Sequence, residues 1–189
     1  MEADASTKQF FVDASVFITL AEIDCVNLLD ALDGEVVVPR AVAAEISDEP
    51  AVSHFEAASD DWLRIADAVE VAGREEVEHA ASHLGTDLGE RDGNDSALAD
   101  FEGDVALLAL GMTAENPVVV TDDKPLRQAC KALGVSLSGS IGVLVASVER
   151  GTLSGDDAKD ALVAMDEVGA RLSASLFRRA ERLIEQATD

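Results

Sequence analysis

Positive charge is scarce in this sequence. Fourteen Lys plus Arg stand against 38 Asp plus Glu, giving a net charge of −24, and lysine occurs only as Lys8, Lys124, Lys131 and Lys159. Such a field opposes polyanions at low salt but is strongly screened at molar salt, where the Debye length falls to ~3 Å. The acids are spread along the chain rather than gathered in a tail, and hydrophobic residues make up 48%. The composition therefore fits a salt-accumulating cell, where acidic surfaces are the rule, better than a protein built to avoid nucleic acid. A halophilic archaeon is the expected source, and charge by itself then says little about partners.

Long apolar runs are missing too. None approaches the ~18 residues of a membrane span, and the start MEADASTKQF has no secretory pattern. A cytoplasmic protein with no membrane partner is expected. The two cysteines, Cys25 and Cys130, are isolated in apolar helical patterns. Without a CxxC pair they argue against a zinc ribbon and read as buried free thiols. The stretch Gly85–Asp95 contains glycines but no P-loop or GxGxxG after a strand. A calcium loop starting at Asp92 fails because its sixth position is Ala97. No internal repeat is visible.

The order of elements is clearer. Phe10–Val12, Val36–Val38 and Val118–Val120 are short, wholly apolar runs that read as buried strands. Trp62–Ile65 reads as an edge strand and Val135–Leu137 as a short last one. Between them the spacing predicts helices over Ser15–Ala21, Val26–Leu32, Arg40–Ile46, Ala51–Ser59, Glu75–Leu84, Asp104–Met112 and Pro125–Leu133. Gly134 is the stop of the last of these. A helical turn is expected around Ser96–Phe101. Beyond Ser140 the pattern is purely helical. Ile141–Val148 forms one helix. Two stripes follow, one through Ala158, Ala161, Leu162 and Met165, the other through Leu176, Phe177, Ala180, Leu183 and Ile184. Alternating strand and helix predicts a three-layer α/β/α fold with a central parallel sheet of about four to five strands. Residues 1–137 would form the main domain, and 138–189 a helical extension packed on it.

Position separates a few acids from the other thirty or so. Asp13 directly follows the first strand, Glu45 lies on the helix after the second, and Asp104 opens the helix before the third long run. Asp122 and Asp123 directly follow that run. In an open parallel sheet, ligands gather beyond the carboxyl ends of the strands, where strand order reverses. Converging carboxylates repel one another unless a cation sits among them. All-oxygen ligation selects Mg²⁺ or Mn²⁺, and phosphodiester hydrolysis is the natural reaction of such a site. Taken singly, Asp13 and Asp122 could be plain helix caps, Glu45 a surface residue and Thr121 a strand end.

The segments VDASVF (Val12–Phe17), VVVPRAVAAEI (Val36–Ile46), GDVALLAL (Gly103–Leu110) and VVVTDDKPLRQACKALGV (Val118–Val135) resemble the successive motifs of PIN-domain proteins. The tail from Ser138 is similar to a VapC-like subgroup. The resemblance implies a metal-dependent ribonuclease that leaves a 5′-phosphate and a 3′-hydroxyl. Its four acids would be Asp13, Glu45, Asp104, and Asp122 or Asp123, holding Mg²⁺ or Mn²⁺, with Ser15 and Thr121 as supporting hydroxyls. It also implies an RNA substrate, an antitoxin protein as partner if the chain is a toxin, and a homodimer. Asp92, Asp95, Asp100 and Glu102 rival Asp104 for the third position. PIN nucleases of ribosomal RNA maturation share the GDVALLAL and TDD patterns but carry a zinc ribbon, which this sequence lacks.

Lys124, Arg127 and Lys131 fall at i, i+3 and i+7 on one helical face beside Asp122. They are candidate RNA-backbone contacts, with intramolecular pairing to nearby carboxylates as the alternative. His79 and His83 are at i and i+4, but the segment is HAASH rather than HExxH, so they read as solvated histidines beside the solvated Glu75, Glu76 and Glu78. Two other classes remain open, a PIN-like nucleic-acid-binding or RNA-processing module with weak or no activity, and an acidic interaction protein.

Overall fold

Short runs of valine and phenylalanine bounded by helix formers favour strands buried on both faces. In the computed structural model, which describes residues 7–86, 102–170 and 172–188, these runs become β1 (Gln9–Val12), β2 (Glu35–Pro39), β3 (Leu63–Ala66), β4 (Pro117–Val120) and β5 (Leu137–Ser138). They pair in parallel in the order β3-β2-β1-β4-β5. From β1 the chain winds outward through β2 and β3, then returns to the other side of β1 for β4 and β5. Strand order therefore reverses between β1 and β4.

The helices of the first half are α1 (Ala14–Glu22), α2 (Asn27–Asp30), α3 (Arg40–Ala43), α4 (Ala51–Ser59), α5 (Ala68–Ala72) and α6 (Arg74–Leu84). Those of the second half are α7 (Gly103–Thr113), α8 (Lys124–Leu133), α9 (Ser140–Glu149), α10 (Gly155–Glu167) and α11 (Ala174–Thr188). Together they flank the sheet in the expected α/β/α arrangement. Helix α7 is apolar all round, as a helix buried on every side must be. Val105 through Gly111 are all buried, and α7 lies against β1, β2 and β4 while touching α3, α5, α6 and α8. Each fully buried leucine in it, Leu107, Leu108 and Leu110, contributes about 1.5–3 kcal/mol of transfer free energy. This helix anchors the site, because its first turn carries Asp104.

Local chemistry moves several boundaries. The helix expected to reach Ile46 stops at Ala43, which leaves Glu45 in the turn beyond it. Strand β5 begins two residues late because Val135 still closes the end of α8, its N–H donating to the Cys130 carbonyl at 2.9 Å. Gly134 provides the left-handed stop at φ 72°. Helix α5 was not foreseen. It forms because Asp67 caps it, its carboxylate accepting from the Val69 and Glu70 N–H groups at 2.9 and 3.2 Å.

The stripe of α10 is buried as expected, through Ala158, Ala161, Leu162 and Met165. On α11 only Ala180 and Ile184 are buried, while Leu176 and Leu183 stay exposed along a groove of about 560 Å³ between α9 and α11. The helical turn expected at Ser96–Phe101, and with it Asp92, Asp95 and Asp100, lies outside the described residues. Among the described residues no helix is long and apolar enough to cross a membrane.

Candidate metal centre

Parallel register decides which side chains meet at the strand ends. Val12 pairs with Val120, so the next residues, Asp13 and Thr121, stand side by side at the switch point. The Asp13 N–H also donates to the Val120 carbonyl at 3.0 Å. Asp13 is only 7% exposed, and although it precedes α1 its carboxylate makes no capping bond. Instead its Oδ2 accepts from the Ser15 and Thr121 hydroxyls, both at 2.7 Å. The Thr121 hydroxyl in turn accepts from the Asp123 N–H at 3.0 Å. The helix-cap explanation of Asp13 therefore fails, and Thr121 is more than a strand end.

The other carboxylates approach from two helices. Glu45, just past α3, accepts from the Gly103 N–H at 3.2 Å. A Cβ on Gly103 would sit 2.5 Å from that same Glu45 oxygen and 2.9 Å from Val42 Cγ2, so glycine is what lets Glu45 reach the start of α7. Burial against this corner and the charge of Asp13 push the Glu45 carboxyl above its ordinary range, with Glu102 adding to the rise and the Gly103 hydrogen bond opposing it. Asp104, on the first turn of α7 and half-buried, is pushed up to about 6 by burial and then by Asp13, Asp123, Glu45 and Glu102.

Asp13, Asp123, Glu45 and Glu102 all act on Asp104, and Asp13 and Glu102 on Glu45, so these acids lie within electrostatic reach of one another. Among the described residues no three His, Cys, Asp or Glu side chains are already gathered as a ready-made cage. The acids are neighbours by field rather than by contact. Their donor chemistry fits a hard dication, since all are oxygens and their mutual charge raises two of the pKa values.

Asp122 behaves differently. Its carboxylate turns toward α9, accepting from the Ser140 N–H at 3.2 and 3.3 Å and making a short hydrogen bond with the Ser140 hydroxyl. It caps α9 from another element, supplying the acceptor that Gly139 at the N-cap lacks. Its adjacent Asp123 caps α8 through Leu126 N–H at 2.9 Å yet still acts on Asp104. Of the DD pair, Asp123 is thus the one whose charge acts on Asp104, while Asp122 is bonded to the start of α9.

The basic stripe does not hold as a unit. Arg127 donates from Nη1 to the Thr121 and Ser138 carbonyls, both at 2.6 Å, tying the ends of β4 and β5 together. Its partners are backbone carbonyls, not the carboxylates considered as the alternative. Lys124 and Lys131 are exposed on α8. A second cationic group that the stripe overlooked, Arg178, Arg179 and Arg182, is exposed on α11. Ser140 and Gly103 were also missed. Gly103 stood in plain view before Asp104, whereas Ser140 meets Asp122 across 18 residues with no local signal.

Fold and centre together define a doubly wound α/β protein with an acidic site at its switch point, an arrangement suited to a nuclease. A family model described as PIN domain matches residues 9–186, and the chain belongs to the PIN-domain family. PIN domains are generally nucleases acting on nucleic acid and typically use divalent metal ions. No curated protein matches the sequence.

Proposed function

We propose that the protein is a metal-dependent endoribonuclease centred on Asp13, Glu45, Asp104 and Asp123. The observation that carries this reading is the strand-end corner where Asp13, held by the Ser15 and Thr121 hydroxyls, and Glu45, held by the Gly103 N–H, flank the half-buried Asp104, whose carboxyl burial and neighbouring acids push up to about 6. Such a cluster is neutralised either by protons or by a dication. A bound Mg²⁺ or Mn²⁺ would supply Lewis-acid charge to the phosphate oxygens and acidify a water molecule. The chain's own groups orient and hold. Ser15 and Thr121 fix the rotamer of Asp13, the Gly103 N–H holds Glu45, and the Leu126 N–H holds Asp123. Lys124 and Lys131, exposed on the helix that starts beside Asp123, are assigned to RNA phosphates. RNA in preference to DNA rests on the family resemblance.

A role as a VapC-type toxin is the finer part of this reading and entails an antitoxin partner and a homodimer. A small reading frame overlapping upstream and co-purification of its product would support it, while a lone gene points to RNA processing. A binding module without activity is disfavoured by the four positioned carboxylates.

The test is cleavage of a mixed RNA pool in high KCl with Mn²⁺. Cutting should require the metal and leave 5′-phosphate ends. Asp13→Asn and Asp123→Asn should lower the rate roughly 100-fold or more, whereas Asp122→Asn should stay within several-fold while lowering Tm. If Asp122→Asn is as inactive as Asp13→Asn and Asp123→Asn still cuts, the fourth acid is Asp122. Wild-type rates in Asp13→Asn would move the centre elsewhere.

A further inference from the structure

Helix α6 carries a pair of side chains that the nuclease reading does not use. Its inner face, Val77, Ala80 and Ala81, is buried, and its outer face presents His79 and His83, both exposed. One helical turn apart, the two imidazoles converge. Their centroids are 4.7 Å apart at a tilt of 46°, and their Nε2 atoms face each other at 3.1 Å. Two nitrogens at that distance share either a proton or a metal ion.

We propose that His79 and His83 form a chelate for a borderline, nitrogen-seeking dication such as Zn²⁺, Ni²⁺ or Cu²⁺, separate from the carboxylate centre. With metal–nitrogen bonds of about 2.0–2.1 Å, nitrogens 3.1 Å apart subtend roughly 100° at the ion. That lies between the right angle of a square-planar or octahedral site and the tetrahedral angle, so neither ring must move far. Glu76 supplies the usual carboxylate behind a metal-bound imidazole, with its Oε2 3.7 Å from His79 Nδ1. A small rotation of Glu76 brings it within hydrogen-bond reach of Nδ1–H, the tautomer that leaves the Nε2 lone pair for the metal. Among the described residues no third side chain completes a protein-only cage, so water fills the remaining positions. Imidazole selects Zn²⁺, Cu²⁺ or Ni²⁺ over Mg²⁺, the reverse of the all-oxygen centre. The chelate would brace the end of α6, where the Thr86 hydroxyl donates to Glu102 at 3.2 Å, two residues before Asp104.

The experiment is calorimetric titration of the full chain with Zn²⁺ and with Ni²⁺ under excess Mg²⁺, with Tm followed in parallel. Wild type should bind one equivalent of either ion and melt higher with it. His79→Gln and His83→Gln should each weaken that step at least tenfold, because either one breaks the chelate. Glu76→Gln should weaken it by up to about tenfold. Asp13→Asn, which disables the carboxylate centre, should keep it, so this inference and the nuclease reading fail separately. Absence of the one-equivalent step in wild type, or its persistence in the double variant His79→Gln/His83→Gln, would overturn the proposal.

Discussion

Asp104, pushed up to about 6 from an ordinary 3.8, keeps its proton in the folded protein at pH values where the unfolded chain has released it. The folded state binds more protons between these values, so this group's contribution to stability falls as pH rises through the window. The unscreened effect would be ~3 kcal/mol at ~1.4 kcal/mol per tenfold, and solvent around a half-buried group reduces it to about 1–2 kcal/mol. Urea melts of the metal-free protein should therefore show Asp104→Asn gaining about 1–2 kcal/mol over wild type at neutral pH. The gain should vanish near pH 4, where both chains carry a neutral side chain. An equal difference at every pH would mean that the charge of Asp104 is not resisted by the cluster. Mn²⁺ binding should strengthen across the same window, because ligation needs the ionised carboxylate.

At the scale of elements, the site depends on the corner where α3 ends and α7 begins. Glu45 reaches the cluster because α3 stops after one turn and because position 103 has no side chain. Gly103→Ala places a methyl group against the Glu45 carboxylate and Val42 Cγ2. Glu45 can swing away, because the atom met is the free end of a flexible side chain, which relieves much of the crowding. The variant should stay folded, with Tm little changed, yet need roughly tenfold more Mn²⁺ for half-maximal cleavage. Undiminished metal dependence would show that Glu45 is dispensable. Asp122 and Arg127 act at the same scale, one capping α9 and the other joining the ends of β4 and β5.

For the whole molecule the governing quantity is a net charge of −24. Ion pairs such as Arg40–Asp67 at 3.6 Å and Arg150–Asp33 at 3.7 Å are exposed and offset little of it. Self-repulsion in the compact state should be relieved as the Debye length shrinks from ~10 Å at 0.1 M to ~3 Å at 1 M. Tm should rise steadily with KCl over that range. The same screening should let a polyanion approach the centre, so RNA cleavage should also improve from low to molar KCl. A Tm that is flat or falls would remove the salt-adaptation reading of the acidic surface.

What the sequence by itself determined is the periodic part of the protein. Runs such as Val36–Val38 and Val118–Val120, short and wholly β-branched, favour buried strands, and the glycine stop at Gly134 is a local backbone matter. Asp13, Glu45 and Asp104 could be picked out because an acid just past a buried strand, or opening a buried helix, is tied to that element's end. Tertiary structure decided everything that depended on direction. Which of Asp122 and Asp123 turns to Ser140, whether Arg127 reaches solvent or the Thr121 and Ser138 carbonyls, and how little room position 103 leaves for a side chain follow from register and packing between segments far apart in the chain. Local pattern fixes which face of an element an atom leaves from, but only the neighbouring element fixes what that atom meets.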